Sequence, residues 1–450
     1  MALPSTRFTF THRALVGDTA RLGYRLEGEG EVVEFEERFT LPQSVSPELA
    51  AQGDVQRALR GLHLMAGVSY WKATLAPELT VEGGGLTEED AEYFTEVWSE
   101  GLGELFCRNE IDLARRPRFT PDAASVAHGE TRGARPDEAY VLLGGGKDSA
   151  VSVEALRRAK VPATALSVGA STWIARAARV SGLSHAVIAR RVDPALAALN
   201  ARGAVNGHVP ISAILAHATL LLATVTGVGS VVASNERSAS FGNVVYQGAE
   251  VNHQWSKGLR FERILRDWCA RNLPAGPRWL SLLRPMSELH IASRFAAHPR
   301  WFDDVTSCNA NFRLDGRAAP ERWCGRCPKC VFVYAITSPF LDDEGVARLF
   351  GRSFLADAEN VPMAAALCGV EGHKPFECVG TPDESRAALW LASRRPRERD
   401  AAVSRWFRDV VALSDEEGAE RVREAMTLSD DHALDPRWEA VLREYLAAAG

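Results

Sequence analysis

The sequence predicts an α/β protein: a doubly wound parallel sheet, preceded by an N-terminal α+β domain and followed by a mostly helical C-terminal region. Two observations predict it. From Ala139 on, short apolar strands alternate with Ala-rich helices, the pattern of a parallel sheet covered by helices. Before residue 120, apolar positions first alternate at period two and then take helical spacing. The 450 residues carry 46% apolar and 24% charged side chains, enough to bury a sizeable core. Collagen-like, coiled-coil and disordered chains are excluded.

Each element follows in order. Phe8 and Phe10, then Leu22, Tyr24 and Leu26, then Val33, Phe35, Phe39 and Leu41 fall at period two. They predict an antiparallel sheet with one solvated face, turned at residues 27–31. Asp54 is placed to cap a helix carrying Val55, Leu59, Leu62 and Met65. Thr87, with Asp90 three residues on, opens another with Phe94, Val97 and Trp98. Residues 1–120 form the α+β domain, and nothing in them advertises chemistry. Residues 121–137, rich in Pro, Ala, Gly and charge, read as a linker. Residues 138–340 hold the parallel sheet, with strand candidates Ala139–Leu143, Ala163–Val168 and Ala186–Ile188. Residues 341–450 form the helical region, anchored by Trp390, Trp406, Phe407 and Trp438.

From Gly203 to Asn235 there is no Asp, Glu, Lys or Arg. Pro210, His217, Gly227 and Gly229 interrupt this run, so it reads as a buried helix near Ile211–Thr224 and a buried strand at Val231–Ala233, not a membrane span. The net charge of −6 argues against a surface that grips nucleic acid throughout and leaves room for a local cationic pocket. The first seven residues lack an apolar core of signal-peptide length. Eight cysteines are too sparse for a disulfide scaffold, and the expected setting is a reducing, cytoplasmic one.

The most informative stretch is Tyr140 to Ala150. An apolar strand runs into Gly144, Gly145 and Gly146, then Lys147, Asp148 and Ser149, then a helix. Glycines let backbone N–H groups approach an anion, and the helix N-terminus adds free donors. Lys147 and Ser149 can add contacts, and Asp148 can reach a metal ion. The spacing is neither that of a Walker A loop nor that of the dinucleotide fingerprint. It resembles the Ser-Gly-Gly-x-Asp-Ser loop of the PP-loop ATP pyrophosphatase superfamily, with Gly144 where that superfamily usually has Ser. The resemblance implies a HUP-like PP-loop fold that cleaves ATP between the α and β phosphates, with adenine held near Ser167 and Val168.

Cys324, Cys327 and Cys330 form Cys-x2-Cys-x2-Cys, and Cys308 lies 16 positions before the first of them. Four thiolates can close a tetrahedral structural zinc site. Arg322, Arg326 and Lys329 are placed to offset its charge. An iron–sulfur cluster and plain buried cysteines are the rivals. Cys107 and Cys269 read as small core hydrophobes.

Three segments are unusually polar: Asn206 to Pro210, Ser234 to Ser240, and Val251 to Lys257. Loops at strand carboxyl ends line the ligand crevice of an open parallel sheet. The candidate substrate-binding residues there are Asn206, His208, Ser234, Asn235, Glu236, Asn252, Gln254 and Ser256. Taken with the glycine loop, the cysteine cluster, His63 to Tyr70 and His373 to Gly380, these strings resemble the bacterial UDP-N-acetylmuramoyl-L-alanyl-L-glutamate epimerase family. That resemblance implies inversion of the terminal L-Glu of a peptidoglycan precursor, with ATP, Mg2+ and structural Zn2+. It implies a UDP-linked muramoyl dipeptide as substrate, no nucleic-acid or membrane partner, and functional pairing with a muropeptide ligase. The proton-transfer candidates are His253, Cys378 and Lys257, with His208, His373 and Lys374 behind them. The rival reading is a PP-loop tRNA-modifying enzyme, a thiolase or ligase, which needs a basic track that the acidic patches Glu34–Glu37 and Asp415–Glu417 disfavour.

Overall fold

The computed structural model describes residues 5–28, 30–122, 133–312 and 321–448. Strands β1 (Ser5–Gly28) and β2 (Glu31–Val45) form a long antiparallel hairpin with Tyr24 opposite Phe35 and Leu26 opposite Val33, as the period-two pattern predicts. Gly17, at φ +60°, marks a register slip in β1. The strand bends there, and its first residues pair in parallel with β3 (Glu78–Val81). Strands β4 (Arg135–Leu142), β5 (Ala163–Val168), β6 (His185–Arg191) and β7 (Val228–Ala233) are parallel neighbours. Strands β8 (Val244–Tyr246) and β9 (Ala249–Val251) make a separate hairpin, and β10 (Arg278–Ser281) pairs in parallel with β7.

The main sheet has eight strands in the order β10-β7-β4-β5-β6-β2-β1-β3. From β4 the chain winds one way through β5 and β6, and from β7 the other way to β10. The switch point therefore lies between β4 and β7, where a crevice opens at the strand carboxyl ends. The sheet also continues past the parallel strands, because β2 pairs antiparallel with β6 through Phe39 and Arg190. Buried Glu37 accepts from Arg190 at 2.5 Å beside this seam. The N-terminal hairpin and the parallel strands thus share one sheet.

Side chains alternate across that sheet into two cores. Tyr140, Leu166, Val231 and Trp279 face one core, built from the N-terminal elements and the helix Ile211–Thr226. Val141, Ala165, Val232 and Leu280 face the other, built from the helix Lys147–Arg158 and the C-terminal helices. All six residues of β7 are buried, as expected for a strand covered on both faces.

Several local expectations are corrected. Gln52 is the N-cap of the helix Gly53–Ala66, and Asp54 sits inside its first turn, where its carboxylate accepts from the Val55 amide at 2.8 Å. Thr87 does cap its helix, accepting from the Asp90 amide at 3.2 Å. β4 begins at Arg135, inside the stretch read as a linker, because the Arg135 amide donates to the Gly227 carbonyl at 2.8 Å. Residues 123–132 of that stretch lie outside the described residues. After β10 the described residues hold helices and no further strand, among them Pro328–Thr337, Pro382–Ala392 and Pro436–Ala447. Trp438 and Phe407 are buried there. Trp390 and Trp406 stay half-exposed at the core edge, with the Arg394 guanidinium 3.8 Å from the Trp390 ring. No helix among the described residues is long and apolar enough to cross a membrane.

Candidate active site

The glycine loop ends β4 at the switch point. Gly145 has φ +82°, a backbone shape that L side chains resist, and the Trp173–Ile174 peptide lies in ordinary contact, 3.4 Å from where a Cβ would stand. A Cβ at Gly144 would meet nothing within 4 Å, so the loop faces open space. Gly146 is the N-cap of the helix Lys147–Arg158 and offers no side-chain cap, leaving the helix N-terminal amides for a ligand. Ser149 Oγ donates to the Gly146 carbonyl at 3.0 Å. The loop fits a phosphate group. Ser167 and Val168 end the adjacent strand β5; Ser167 Oγ contacts His185 Nε2 at 2.9 Å.

Behind the loop lies a buried ionic cluster. Lys147 is 4% exposed and donates to both Asp148 and Glu288. Burial opposes its charge, yet Asp148 and Glu288 hold its pKa above the usual lysine range. Burial pushes the Glu288 carboxyl well up, and Asp148 and Glu236 push the same way against Lys147. Buried Glu236 is likewise raised by burial, with Lys257 opposing. Asp148 Oδ1 serves Lys147, and the side chain is 32% exposed, so its other oxygen is open to a cation. Arg284, fully buried against Glu262 at 3.1 Å, donates to the backbone carbonyls of Glu236 and Lys257 and so fixes both segments. Glu384 Oε1 accepts from the Glu288 amide at 2.9 Å, tying a C-terminal helix to this cluster.

The three proton-transfer candidates meet. Lys257 Nζ donates to Cys378 Sγ at 3.1 Å. The His253 ring lies beside the same sulfur, and its Nδ1 meets the carboxylate of Glu104. Burial alone would raise the Cys378 thiol, but Lys257, Lys329 and His253 bring it well below the ordinary thiol range. Burial lowers His253, but Cys378 and Glu104 more than compensate and raise it to about 9. Both shifts favour a charged pair, with the sulfur giving up its proton and the ring keeping its own. His208, its ring centroid 4.4 Å from that of His253, is lowered to about 4 by burial and by His253, and stays neutral.

The polar strings surround this centre. Asn252 is buried, donating to the Ala239 carbonyl at 2.9 Å and accepting from the Gln254 amide at 2.8 Å. Gln254 Nε2 donates to the Val379 carbonyl at 3.3 Å, while its buried Oε1 has no partner. Ser256 is buried. Ser234 Oγ lies 2.8 Å from Ser152 Oγ, and Asn235 donates to Ser281 Oγ at 3.0 Å. Asn206 is exposed and accepts from Lys72 at 2.8 Å. His373 and Lys374 line an adjacent cavity of about 520 Å³ with Phe241, Asn243, Glu250 and Asp383.

The four cysteines also converge. Their sulfurs lie within 4.8 Å of one another, and Cys324 Sγ is 3.7 Å from Cys330 Sγ. Zn–S bonds of about 2.3 Å give a tetrahedron edge of about 3.8 Å, so the set can hold a metal ion and its spacing fits zinc. Two of the expected compensating cations are engaged elsewhere. Arg322 donates to the carbonyls of Phe302, Arg348 and Leu349, and Arg326 pairs with Asp357 and Glu359. Lys329 bears on Cys378. The cluster reaches the glycine loop: the Cys308 amide donates to Thr306 Oγ1 at 3.2 Å, and the Thr306 amide to the Gly145 carbonyl at 3.0 Å.

Glu104, Asn243, Arg284, Glu288 and Glu384 were missed by sequence reasoning. Only Glu384 carried a local signal, the Thr381-x-x-Glu384 capping box, which forms. Asn243 Oδ1 accepts from the His253 amide at 2.8 Å, and its Nδ2 donates to the Pro375 carbonyl at 2.6 Å, bracketing His253 to the Cys378 loop.

A mostly parallel sheet with a glycine loop at its switch point, and with Cys378, Lys257 and His253 gathered nearby, defines an α/β protein whose crevice is lined by ionisable side chains. Two family models match in succession: the MurL N-terminal domain over residues 3–282 and the MurL C-terminal domain over residues 304–422. The chain belongs to the MurL family. It is 42% identical to a protein of Xanthomonas oryzae pv. oryzae over 389 residues, 86% of each chain. It is 42% identical to one of Micromonospora sp. over 409 residues, 90% of each, and to one of Salinispora tropica over 388 residues, 85% of this chain and 84% of the relative. All three are named UDP-N-acetyl-alpha-D-muramoyl-L-alanyl-L-glutamate epimerase.

Proposed function

We propose that this protein inverts the terminal L-Glu of UDP-N-acetylmuramoyl-L-alanyl-L-glutamate to D-Glu, with ATP cleaved to AMP and pyrophosphate. The observation that carries this reading is the contact of Cys378 with Lys257 and His253, in the crevice opened by the glycine loop. The relatives' names supply the substrate. We take the fold to be of the PP-loop type, with Gly144, Gly145, Gly146, Lys147, Asp148 and Ser149 around the phosphates and Ser167 and Val168 near adenine. Asp148 would hold Mg2+, which would neutralise the departing pyrophosphate. The four cysteines hold structural Zn2+.

Activation comes first because the α-hydrogen of a free carboxylate is very weakly acidic. Adenylation removes the negative charge and leaves a carbonyl that accepts the carbanion. The Cys378 thiolate takes the α-proton and becomes a thiol. The His253 imidazolium returns a proton to the opposite face and becomes neutral. Inversion therefore requires Cα to enter between the two groups, which are neighbours in the free protein. Water then splits the acyl–phosphate bond and releases AMP. When the thiol passes its proton to the imidazole, the ion pair is restored. Asn206, His208, Ser234, Asn235, Glu236, Asn252, Gln254 and Ser256 bind or orient the substrate.

The setting of this reading is the cytoplasm and peptidoglycan precursor synthesis, with a muropeptide ligase supplying the L-Glu-terminated precursor. The tRNA-modifying alternative draws no support from the relatives' names or from the net charge of −6. Chiral analysis of glutamate, after incubating the UDP-linked dipeptide with ATP and Mg2+, tests the reading. D-Glu together with AMP is expected. Retained L-Glu, or ADP as the product, overturns it.

A further inference from the structure

We infer that Glu104 is a positioning residue for the proton transfer, fixing the His253 ring so that its second nitrogen faces Cys378. The inference rests on the reaction proposed above and adds a member from the N-terminal region, where the sequence advertises no chemistry. Glu104 lies on the short helix Gly103–Arg108 and is buried. Its Oε2 meets His253 Nδ1, and its Oε1 accepts from Arg108 Nε at 2.6 Å. With Nδ1 committed to the carboxylate, Nε2 is the nitrogen left to give a proton to the substrate and to take one back from Cys378. The bracket through Asn243 holds the His253 backbone, so Glu104 has only the ring left to set. A buried carboxylate is retained only where partners satisfy it, and here they are the groups of the reactive centre. Burial raises Glu104, and His253, His208 and Arg108 draw it below the usual carboxylate range, so it stays an anion.

Charged and titratable groups face His253 from every side. Glu104 and Arg108 come from the short helix, and His208, 3.7 Å from Glu104 Oε2, comes from the loop before Ile211. Cys378 comes from the C-terminal loop, and on its sulfur bear Lys374 of the same loop, Lys257 of the turn that carries His253, and Lys329 of the helix Pro328–Thr337. Of these, Glu104 and Cys378 favour the protonated ring, which titrates at about 9. Activity needs the imidazolium, so it is lost as pH rises through that value. Removing the Glu104 charge lowers the His253 pKa and moves this basic limb to lower pH.

The test measures kcat and KM for the UDP-linked dipeptide from pH 6 to 10.5 in wild type, Glu104→Gln and Glu104→Asp. Glu104→Gln is expected to lose about tenfold or more in kcat with KM little changed, and to shift its basic limb down by about one unit or more. Glu104→Asp keeps the charge and is expected to keep the limb near its wild-type position. A folded Glu104→Gln protein with the wild-type limb overturns the inference, because a purely structural role changes stability and amplitude but not the limb. An independent readout needs neither turnover nor a variant: NMR titration of wild type carrying labelled histidine. A His253 ring titrating near 9, with its Nδ1 proton strongly downfield, supports the inference, and a ring titrating near 6.5 overturns it. If wild type shows no ATP-dependent inversion, the reaction reading falls, while the NMR titration still decides the role of Glu104.

Discussion

At the scale of single residues, the centre sets positive groups around one sulfur. Lys257 at 3.1 Å and the His253 ring draw the Cys378 thiol well below its ordinary range, against the opposing effect of burial. Its alkylation by iodoacetamide is therefore expected to be nearly flat between about pH 6 and 8, whereas an ordinary thiol near 8.5 gains about tenfold per pH unit there. Lys257→Met should restore that slope, and mass spectrometry of the modified peptide checks it. Cys378→Ala is expected to lose inversion and α-deuterium uptake from D2O by about a hundredfold or more, with ATP binding retained. The residue types His253, Cys378 and Lys257 were legible in the chain as unusual polar strings. Their meeting was not, because it joins residues more than 120 positions apart. Glu104 was hidden for a different reason: with Arg108 four residues on, it reads as a solvated helix pair.

At the scale of elements, the glycine loop was legible because a strand, three glycines and a helix start stand consecutively in the chain. The groups around it were not: Glu288 and Glu384 arrive from helices about 140 and 240 residues downstream. Ser149→Ala and Asp148→Ala should each lose more than about tenfold in rate, since contacts to developing phosphate charge contribute several kcal/mol. Separated nucleotides after turnover give the measure. The cysteine spacing predicted a metal site, and the four sulfurs do converge, but its link to the loop through Thr306 had no sequence signal. One zinc per chain is expected by elemental analysis, and iron–sulfur absorption would refute it. Chelation should raise the KM for ATP and lower Tm together. A lower Tm with unchanged KM would separate the metal centre from the loop.

At the scale of the whole molecule, one sheet divides two cores, and the reactive centre gathers where both faces reach its carboxyl edge. The alternation of short apolar strands with Ala-rich helices made the layering legible. The seam between β2 and β6 was not, because antiparallel pairing between distant strands leaves no local pattern. Since the first core is shared across that seam, urea unfolding should show one transition by both tryptophan fluorescence and far-UV circular dichroism. Arg190→Ala leaves the buried Glu37 carboxylate without its partner and should cost about 3 kcal/mol. Glu37→Gln, which removes the charge itself, should cost less, and the denaturation midpoints compare them.

The same seam sets a timetable for synthesis. The ribosome finishes β2 at Val45 and reaches its sheet neighbour β6 only at His185, about 140 residues later. At roughly 5–20 residues per second, that is an interval of roughly 7 to 28 s in which the outer edge of the hairpin stands unpaired. An open strand edge invites pairing with other nascent chains. β2 meets that interval with Glu34, Glu36 and Arg38 spaced every second residue along one face, a run of charge that repels strangers until the rightful neighbour is made.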